Sequence, residues 1–309
     1  MTLANRGGAR TVNIIEPKKY LVISLKTVII GASLFLALFP IVWMVFLSFL
    51  PDLKTPKFPP PVGASDFSVR NYVGLLFLGR DVGALEGLGS ISQYPVLRII
   101  FNSGLVALSS TVLTIVLGLN AAYAFHRFDF WGKRVLYTSI IIGRMFPLIS
   151  LIVPFYLLFA QLRMINKIPS LIIVHTIIFL PLFIWFCRGY MQSIPTAMID
   201  SGKVDGAGEV RILWQLVAPV VLPAIFGMGI LIFIFSWGEY FFASALLWDN
   251  DSITFPLLLQ LALTSFTGST FFWSAIMALG VVGAIVPLVI GIVFQKQIIS
   301  GLTAGVGKF

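Results

Sequence analysis

Residues 200–223, DSGKVDGAGEVRILWQLVAPVVLP, form a charged, glycine-rich segment between two long apolar runs. The apolar runs cover about residues 170–190 and 219–238, and each has the roughly 20 residues that a helix needs to cross the hydrocarbon layer of a membrane. A polar segment between two such runs is typical of a loop that returns to water. The stretch therefore predicts a polar hinge between two membrane helices.

The composition of the whole chain agrees with a membrane fold. Its 309 residues are 58% hydrophobic and only 11% charged, with a mean hydropathy of +0.99, which excludes a soluble domain of this length. We therefore predict an all-α polytopic membrane protein, with a segment 1–24, a membrane domain 25–294 and a tail 295–309. The six predicted spans are about 25–50, 98–124, 135–161, 170–190, 219–238 and 273–294.

The positive charges indicate the orientation of these spans. An even number of spans places both termini on one side, and that side carries 13 of the 21 Lys and Arg residues against 7 on the other. The positive-inside rule then places both termini and the hinge in the cytoplasm. The net charge of +9 thus reports membrane topology and predicts no nucleic-acid partner. The apolar run after the basic start is too long for a cleaved signal, so the first span is expected to remain as an anchor.

The connections between the spans differ in length. Residues 51–97 form the longest predicted external segment, and their prolines and polar groups indicate an extended loop. The external segment 239–272 contains an apolar piece, Phe255 to Phe266, that is too short to span and is expected to be interfacial or re-entrant. The cytoplasmic connection 190–218 contains the hinge.

The hinge itself, residues 195–218, predicts two short helices around a glycine break. Pro195 suits the first turn of a helix, and Gly206 follows Asp205 in a typical turn pair. The second helix is expected to place its apolar residues on one face, namely Val210, Leu213, Leu216 and Val217. Such a hinge either docks on another protein or lies on the lipid headgroups.

The hinge resembles a motif of the permeases of binding-protein-dependent ABC importers, which reads Glu-Ala-Ala, three residues, Gly, nine residues, Ile-x-Leu-Pro. Asp200-Ser201-Gly202 takes the first triplet, Gly206 the glycine, and Leu216 to Pro219 the end, with the spacing intact. Asp replaces Glu, Ser-Gly replaces Ala-Ala, Leu replaces Ile, and Ala replaces Leu. The segments 39–49, 101–134, 145–159, 236–247 and 301–308 are similar to the maltose-type second permease subunit of the carbohydrate importers.

The resemblance implies a transport function and a set of partners. These are a homologous companion permease, two ATPase subunits that bind ATP and magnesium, an external solute-binding protein and membrane lipid. It implies that the hinge forms coupling helices docked on the ATPase, that the tail Ser300 to Phe309 reaches between the ATPase subunits, and that residues 249–272 probe the binding protein. The coupling residues would be Asp200, Ser201, Gly202, Gly206, Leu216 and Pro219, with Asp200 paired to a basic group of the ATPase.

Several absences in the sequence bear on function. A phosphate-binding loop needs Ser or Thr directly after its Gly-Lys pair. The three Gly-Lys pairs here end at residues 133, 203 and 308 and are followed by Arg, Val and Phe. The chain therefore has no such loop, and a partner must hydrolyse ATP. The six predicted spans contain no Asp or Glu, which argues against a proton-coupled carrier. No catalytic or metal site is predicted, because His126 and His175 lie on different segments without a ligand partner.

The predicted pathway residues are Arg144, Ser236, Trp237 and Tyr240. A charge within a span costs at least about 2.5–3.5 kcal/mol unless it faces water or a partner, so Arg144 either contacts a solute or a neighbouring subunit, or pairs with a backbone carbonyl. The aromatic residues could equally belong to an interfacial belt. We expect a di- or oligosaccharide such as maltose or trehalose as the solute. The alternatives are another solute such as glycerol 3-phosphate, an ion-coupled secondary carrier, or a membrane scaffold.

Overall fold

The computed structural model describes residues 17–50, 63, 67–78, 94–264 and 273–303, and these residues form helices and no strands. The helices are α1 (Pro17–Ser48), α2 (Arg70–Val73), α3 (Val96–Arg127), α4 (Lys133–Gly143), α5 (Ile152–Gln161), α6 (Ile168–Met191), α7 (Thr196–Val204), α8 (Glu209–Ile212), α9 (Ala218–Val220), α10 (Leu222–Trp237), α11 (Phe241–Leu246), α12 (Phe255–Thr264), α13 (Trp273–Val293) and α14 (Gln295–Thr303). Two π-helical turns follow α2 (Gly74–Leu78) and α8 (Leu213–Val217), and a 3-10 turn (Leu148–Leu151) precedes α5.

The predicted all-α membrane fold is confirmed. Four helices, namely α1, α3, α6 and α13, are long and apolar enough to cross a membrane. Two bent pairs also qualify: α4 with the segment Leu148–Gln161, bent by 102°, and Glu209–Val220 with α10, bent by 82°. The described residues thus contain the predicted six spans when each bent pair counts as one.

The predicted continuous span 135–161 is wrong in one respect, because the helix breaks after Gly143. Pro147 has extended backbone angles (φ −59°, ψ 125°) and offers no N–H to the preceding turn. Proline also disfavours the helical conformation of the residue before it. The chain therefore leaves α4, turns, and re-enters a helix at Leu148 in a new direction.

The helices pack around two clusters of buried apolar side chains. α3 lies against α6 and α10, α1 runs along α13, and α14 lies against α10. The first cluster joins α3, α11, α12 and α13 and contains residues such as Phe242, Phe255 and Leu258. The second, here called the hinge cluster, contains Leu119, Phe183 and Ile232 of the long helices together with Ile199 and Ile212 of the hinge.

The predicted external and terminal segments are described in part. Of the predicted loop 51–97, the described residues include α2, and Asn71 there donates to the carbonyl oxygens of Ser48 (2.8 Å) and Leu50 (3.1 Å) at the end of α1. Of the predicted piece Phe255 to Phe266, residues 255–264 form α12, which packs into the first cluster. Residues 265–272 and the tail residues 304–309 lie outside the described part of the chain.

Candidate functional site

The hinge folds as two short helices joined by a glycine turn, as predicted. α7 begins after Pro195 (φ −61°, ψ 131°) and ends at Val204. Gly206 adopts a left-handed conformation (φ +75°), its N–H donates to Lys203, and the N–H of Ala207 donates to Gly202, each at 3.0 Å. This pair of bonds is a Schellman motif, which satisfies the last carbonyl groups of a helix and favours glycine at the left-handed position.

The two halves of the hinge meet at Gly202. A Cβ atom placed there would lie 2.6 Å from Cδ1 of Leu216 and 3.3 Å from Cγ1 of Ile212. Real Cβ atoms do not approach other carbon atoms so closely, so the absence of a side chain at Gly202 allows the two halves to touch. The motif residues Gly202 and Leu216 therefore form the contact that fixes the angle of the hinge.

The predicted apolar face of the second helix needs one correction. Leu213 and Val217 are buried and Leu216 is half-buried, but Val210 is 70% exposed and Ile212 takes the buried position instead. The reason is the π-helical turn Leu213–Val217, which changes the helical register that the spacing assumed. The hinge thus packs its inner face into the hinge cluster.

Polar contacts tie the hinge to the end of α3. The hydroxyl group of Tyr123 donates to Oε2 of Glu209 at 2.7 Å, and Nζ of Lys203 lies 2.7 Å from Oε1 of the same carboxylate. Arg127 also approaches Asp200, with Nη2 3.4 Å from Oδ1. Tyr123, Arg127 and Lys203 were not predicted as part of the site.

The outer face of the hinge is exposed and partly apolar. Asp200, Ser201 and Pro219 of the motif are exposed, and Asp200 keeps 60% of its side chain accessible despite the contact with Arg127. Val204 is 88% exposed and Trp214 is 41% exposed on the same segment. Apolar groups exposed beside polar ones are typical of a protein interaction surface. The assignment of Asp200 to an ATPase contact stays a prediction.

The predicted pathway residues differ in their exposure. Arg144 is exposed at the break between α4 and Leu148, where its Nη1 donates to the carbonyl oxygen of Ile178 at 3.4 Å. Ser236 and Trp237 are buried inside the chain, and Nε1 of Trp237 donates to the carbonyl oxygen of Gly283 at 3.1 Å. Tyr240 is partly buried against the first cluster. In this conformation only Arg144 among the four is exposed, and solute contact by any of them stays a prediction.

Ser236 belongs to a buried polar network that joins three helices. Its Oγ atom hydrogen bonds with Oγ of Ser110 on α3 (3.1 Å) and with Nδ1 of His175 on α6 (2.6 Å). Nε2 of His175 lies 3.2 Å from Oε2 of Glu239, whose carboxylate also accepts the N–H groups of Phe242 (2.9 Å) and Ala243 (3.2 Å) at the start of α11. His175 is thus hydrogen bonded inside the bundle through both of its ring nitrogens.

Metal chemistry finds no support in the described residues. No group of three His, Cys, Asp or Glu side chains among them could hold a metal ion. The single cysteine, Cys187, is buried in the hinge cluster.

The chain is similar in sequence to one protein family and to several membrane transport proteins. The sequence model of one family, described as binding-protein-dependent transport system inner membrane component, matches residues 114–300. The sulfoquinovosyl glycerol transport system permease protein of Agrobacterium fabrum is 30% identical over 278 residues, covering 89% of this chain and 91% of that protein. The trehalose transport system permease protein of Mycobacterium tuberculosis is 30% identical over 289 residues, covering 92% and 96%.

Two further similarities concern an archaeal relative and a solved structure. The trehalose/maltose transport system permease protein of Thermococcus litoralis is 29% identical over 283 residues, covering 91% of this chain and 95% of that protein. A chain of a bacterial ABC transporter involved in the import of the acidic polysaccharide alginate superposes with a TM-score of 0.71, covering 96% of this chain and 99% of that chain. At 19% sequence identity this likeness shows the fold alone.

Proposed function

Because the chain belongs to the binding-protein-dependent transport system inner membrane components, as a permease subunit of the ABC importers of sugars, we propose that it takes up a di- or oligosaccharide by ATP-driven alternating access. The chain carries the membrane pathway and a partner supplies the hydrolysis. The names of its relatives support the solute class, since they include trehalose, maltose and sulfoquinovosyl glycerol transport systems.

The observation that carries the coupling mechanism is the way the hinge is built. Its inner face shares one core with α3, α6 and α10, through Ile199, Ile212 and Val217. Its outer face leaves Val204 and Asp200 exposed. Because the hinge is packed against the helices on one side and exposed on the other, it transmits the movement of a docked partner to the helices. Because packed interiors yield little to compression, closure of the partner would tilt the helices rather than deform the hinge.

We assign the partners accordingly. Two ATPase subunits bind ATP and magnesium, and one of them receives the hinge through the motif residues Asp200, Ser201 and Pro219. A homologous companion permease completes the pathway, and an external solute-binding protein delivers the sugar at the α11–α12 end. With this arrangement the hinge, both termini and the α3–α4 turn face the cytoplasm.

Arg144 supports a second candidate within the same class, an anionic solute. Its guanidinium group is exposed at the break in the α4–α5 span and makes one long hydrogen bond, at 3.4 Å, to Ile178. A charge exposed at a helix break within a span suits an aqueous pathway better than lipid. A solute such as glycerol 3-phosphate or an acidic sugar would pair with it.

The test is the ATPase activity of the reconstituted complex with its binding protein. Maltose, trehalose, longer glucans, an acidic oligosaccharide and glycerol 3-phosphate are added one at a time. We expect one solute class to stimulate hydrolysis, and Asp200→Lys to abolish the stimulation. Asp205→Lys changes the charge of the hinge equally at one of the three spacer positions, whose residue type the motif does not specify, so a similar loss with that variant would show that net charge rather than Asp200 is sensed.

Two outcomes would contradict the proposal. Transport by the chain alone with an ion gradient would establish a secondary carrier. ATPase activity that ignores every solute and the Asp200→Lys substitution would remove the coupling role of the hinge. The variant Arg144→Gln separates the two solute classes, because it impairs uptake of an anionic solute and leaves uptake of a neutral sugar unchanged.

A further inference from the structure

A cavity of about 930 Å³ lies between the end of α3, the turn that follows it and the start of α4. Phe125 and Tyr137 form part of its wall, and Arg188 from the end of α6 contributes to it. The motif, the pathway candidates and the buried polar network do not include any of these residues. The cavity therefore lies outside the motif, the pathway candidates and the polar network, and it touches the hinge cluster through Phe125 and Tyr137.

The cavity is basic. Its lining contains three cations, Lys133, Arg134 and Arg188, against one carboxylate, Asp129. Nζ of Lys133 lies 2.9 Å from Oδ1 of Asp129, so that carboxylate is already compensated. Arg134 is exposed, and no ion pair of it is found among the described residues. The cavity thus offers uncompensated positive charge to an incoming anion.

The guanidinium group of Arg188 is held in place. Its Cζ atom lies 4.3 Å from the centre of the Tyr137 ring, and its Nε donates to the carbonyl oxygen of Phe125 at 3.4 Å. A cation fixed over an aromatic ring is preorganised for an anion, because binding does not have to order it first.

The surroundings of the cavity are apolar and lie where the spanning helices end. Trp131 in the turn is fully exposed, and Val135 and Leu136 on the first turn of α4 are 71% and 51% exposed. α3 ends at Arg127 and α6 at Met191, so the cavity lies beside the ends of two helices that are long and apolar enough to cross a membrane. We therefore expect it at the depth where hydrocarbon gives way to headgroups. Tryptophan and arginine are the residues that anchor membrane proteins at this depth.

We propose that this cavity binds the headgroup of an anionic phospholipid, with the phosphate at Arg134 and Arg188 and the acyl chains along Val135 and Leu136. The charge favours a phosphate-bearing anion, and the apolar strip beside it favours a lipid over free phosphate. The site depends on the membrane fold and not on the identity of the solute, so the failure of one proposal leaves the other standing.

The experiment uses the purified transporter complex, titrated in detergent with phosphatidylglycerol or phosphatidylcholine and examined by native mass spectrometry. We expect saturable binding of phosphatidylglycerol to this subunit and weaker binding of phosphatidylcholine. Arg134→Gln should weaken the binding of phosphatidylglycerol about fivefold, which is the effect of removing one basic residue near an anionic surface. Lys296→Gln, which removes an exposed cation elsewhere, serves as the matched control and should bind as the unaltered chain does.

Three results would overturn the proposal. Equal affinity for both lipids, or equal losses of lipid affinity in Arg134→Gln and Lys296→Gln, would show that the cavity does not distinguish the headgroups. Inorganic phosphate that binds as tightly as phosphatidylglycerol and competes with it would indicate a soluble anion. Unchanged lipid binding in Arg134→Gln together with loss of a partner subunit would assign the cavity to a protein contact.

Discussion

At the scale of single residues, Gly202 controls how closely the two halves of the hinge approach. A valine at this position would place atoms inside the van der Waals radius of Leu216, since even a Cβ would lie 2.6 Å from Cδ1. We expect Gly202→Val to cost about 1–3 kcal/mol and to lower solute-stimulated ATPase activity. The double variant with Leu216→Ala should recover part of the lost stability and part of the lost ATPase activity, because it removes the clashing methyl groups. Additive losses in the double variant would contradict direct contact.

Gly206 is required for a different reason, its backbone conformation. Nothing lies within 4 Å of an added Cβ atom, but the φ angle of +75° is strained for any L side chain. We expect Gly206→Ala to destabilise the turn by about 1–2 kcal/mol. Hydrogen exchange at the amide of Ala207 should then accelerate roughly 5–30-fold. Gly208→Ala, at φ −71° in open space, is the control and should change exchange little.

Single residues also show what local sequence can and cannot predict. The Asp205–Gly206 pair marks a turn because glycine tolerates positive φ, and the turn lies where the pair predicts it. The bond between Tyr123 and Glu209 joins residues 86 positions apart, so spacing along one helix carries no signal for it. The exposed position of Val210 was missed for a related reason, since a π-helical turn alters the periodicity on which the prediction rested.

At the scale of helices, the network around His175 fastens α3, α6 and α10 to one another. Replacing His175 with leucine leaves the hydroxyl of Ser236 and the carboxylate of Glu239 without that partner in a buried site. Ser236 keeps its bond to Ser110 and Glu239 keeps two backbone N–H donors, so the loss is that of the two hydrogen bonds to His175, each worth about 0.5–1.5 kcal/mol. We therefore expect His175→Leu to lower the midpoint of thermal unfolding of the complex, and His175→Gln to lower it less. Equal midpoints for the two variants would show that the network contributes packing alone.

The contact between α10 and α14 depends on two facing glycines. A Cβ atom on Gly301 would lie 2.9 Å from both Cα of Gly227 and the carbonyl oxygen of Pro223, and backbone atoms cannot move aside as a side chain can. We expect Gly301→Ala to displace α14 from α10. Trypsin should then cut after Lys296 roughly tenfold faster, as about 1.4 kcal/mol of lost local stability implies. Gly291→Ala is the control. Its added Cβ atom would have no neighbour within 4 Å, so trypsin should cut this variant at the original rate.

Helices were easier to predict from the sequence than their directions. Apolar runs of sufficient length predict that a segment lies in the membrane, and this holds for α3, α6 and α13 nearly to the residue. Hydropathy contains no information about direction, so the 102° bend between α4 and Leu148–Gln161 was not predicted. Pro147 was the available signal for that break.

At the scale of the whole molecule, the bent α4–α5 pair decides the topology. If the pair crosses the membrane as one broken span, the α3–α4 turn lies on the same side as the hinge, and if it re-enters, that turn lies opposite the hinge, together with the α5–α6 connection. The charge distribution, with 13 Lys and Arg residues on the hinge side and 7 on the other, favours crossing. Length and composition alone allow between four and six spans in the described residues.

Single-cysteine labelling distinguishes these topologies, and the chain suits it because Cys187 is its only cysteine and is buried. In a Cys187→Ala background, we introduce Asp205→Cys, Asp129→Cys in the α3–α4 turn and Asn250→Cys at exposed positions. If the pair crosses, a membrane-impermeant maleimide should label position 250 from outside intact cells and positions 129 and 205 only in inverted vesicles. Position 129 labelled from outside together with position 250 would make the α4–α5 pair re-entrant, reduce the spans to five and move the amino terminus to the outer side. The reverse pattern at all three positions would invert the molecule and separate the hinge from a cytoplasmic ATPase.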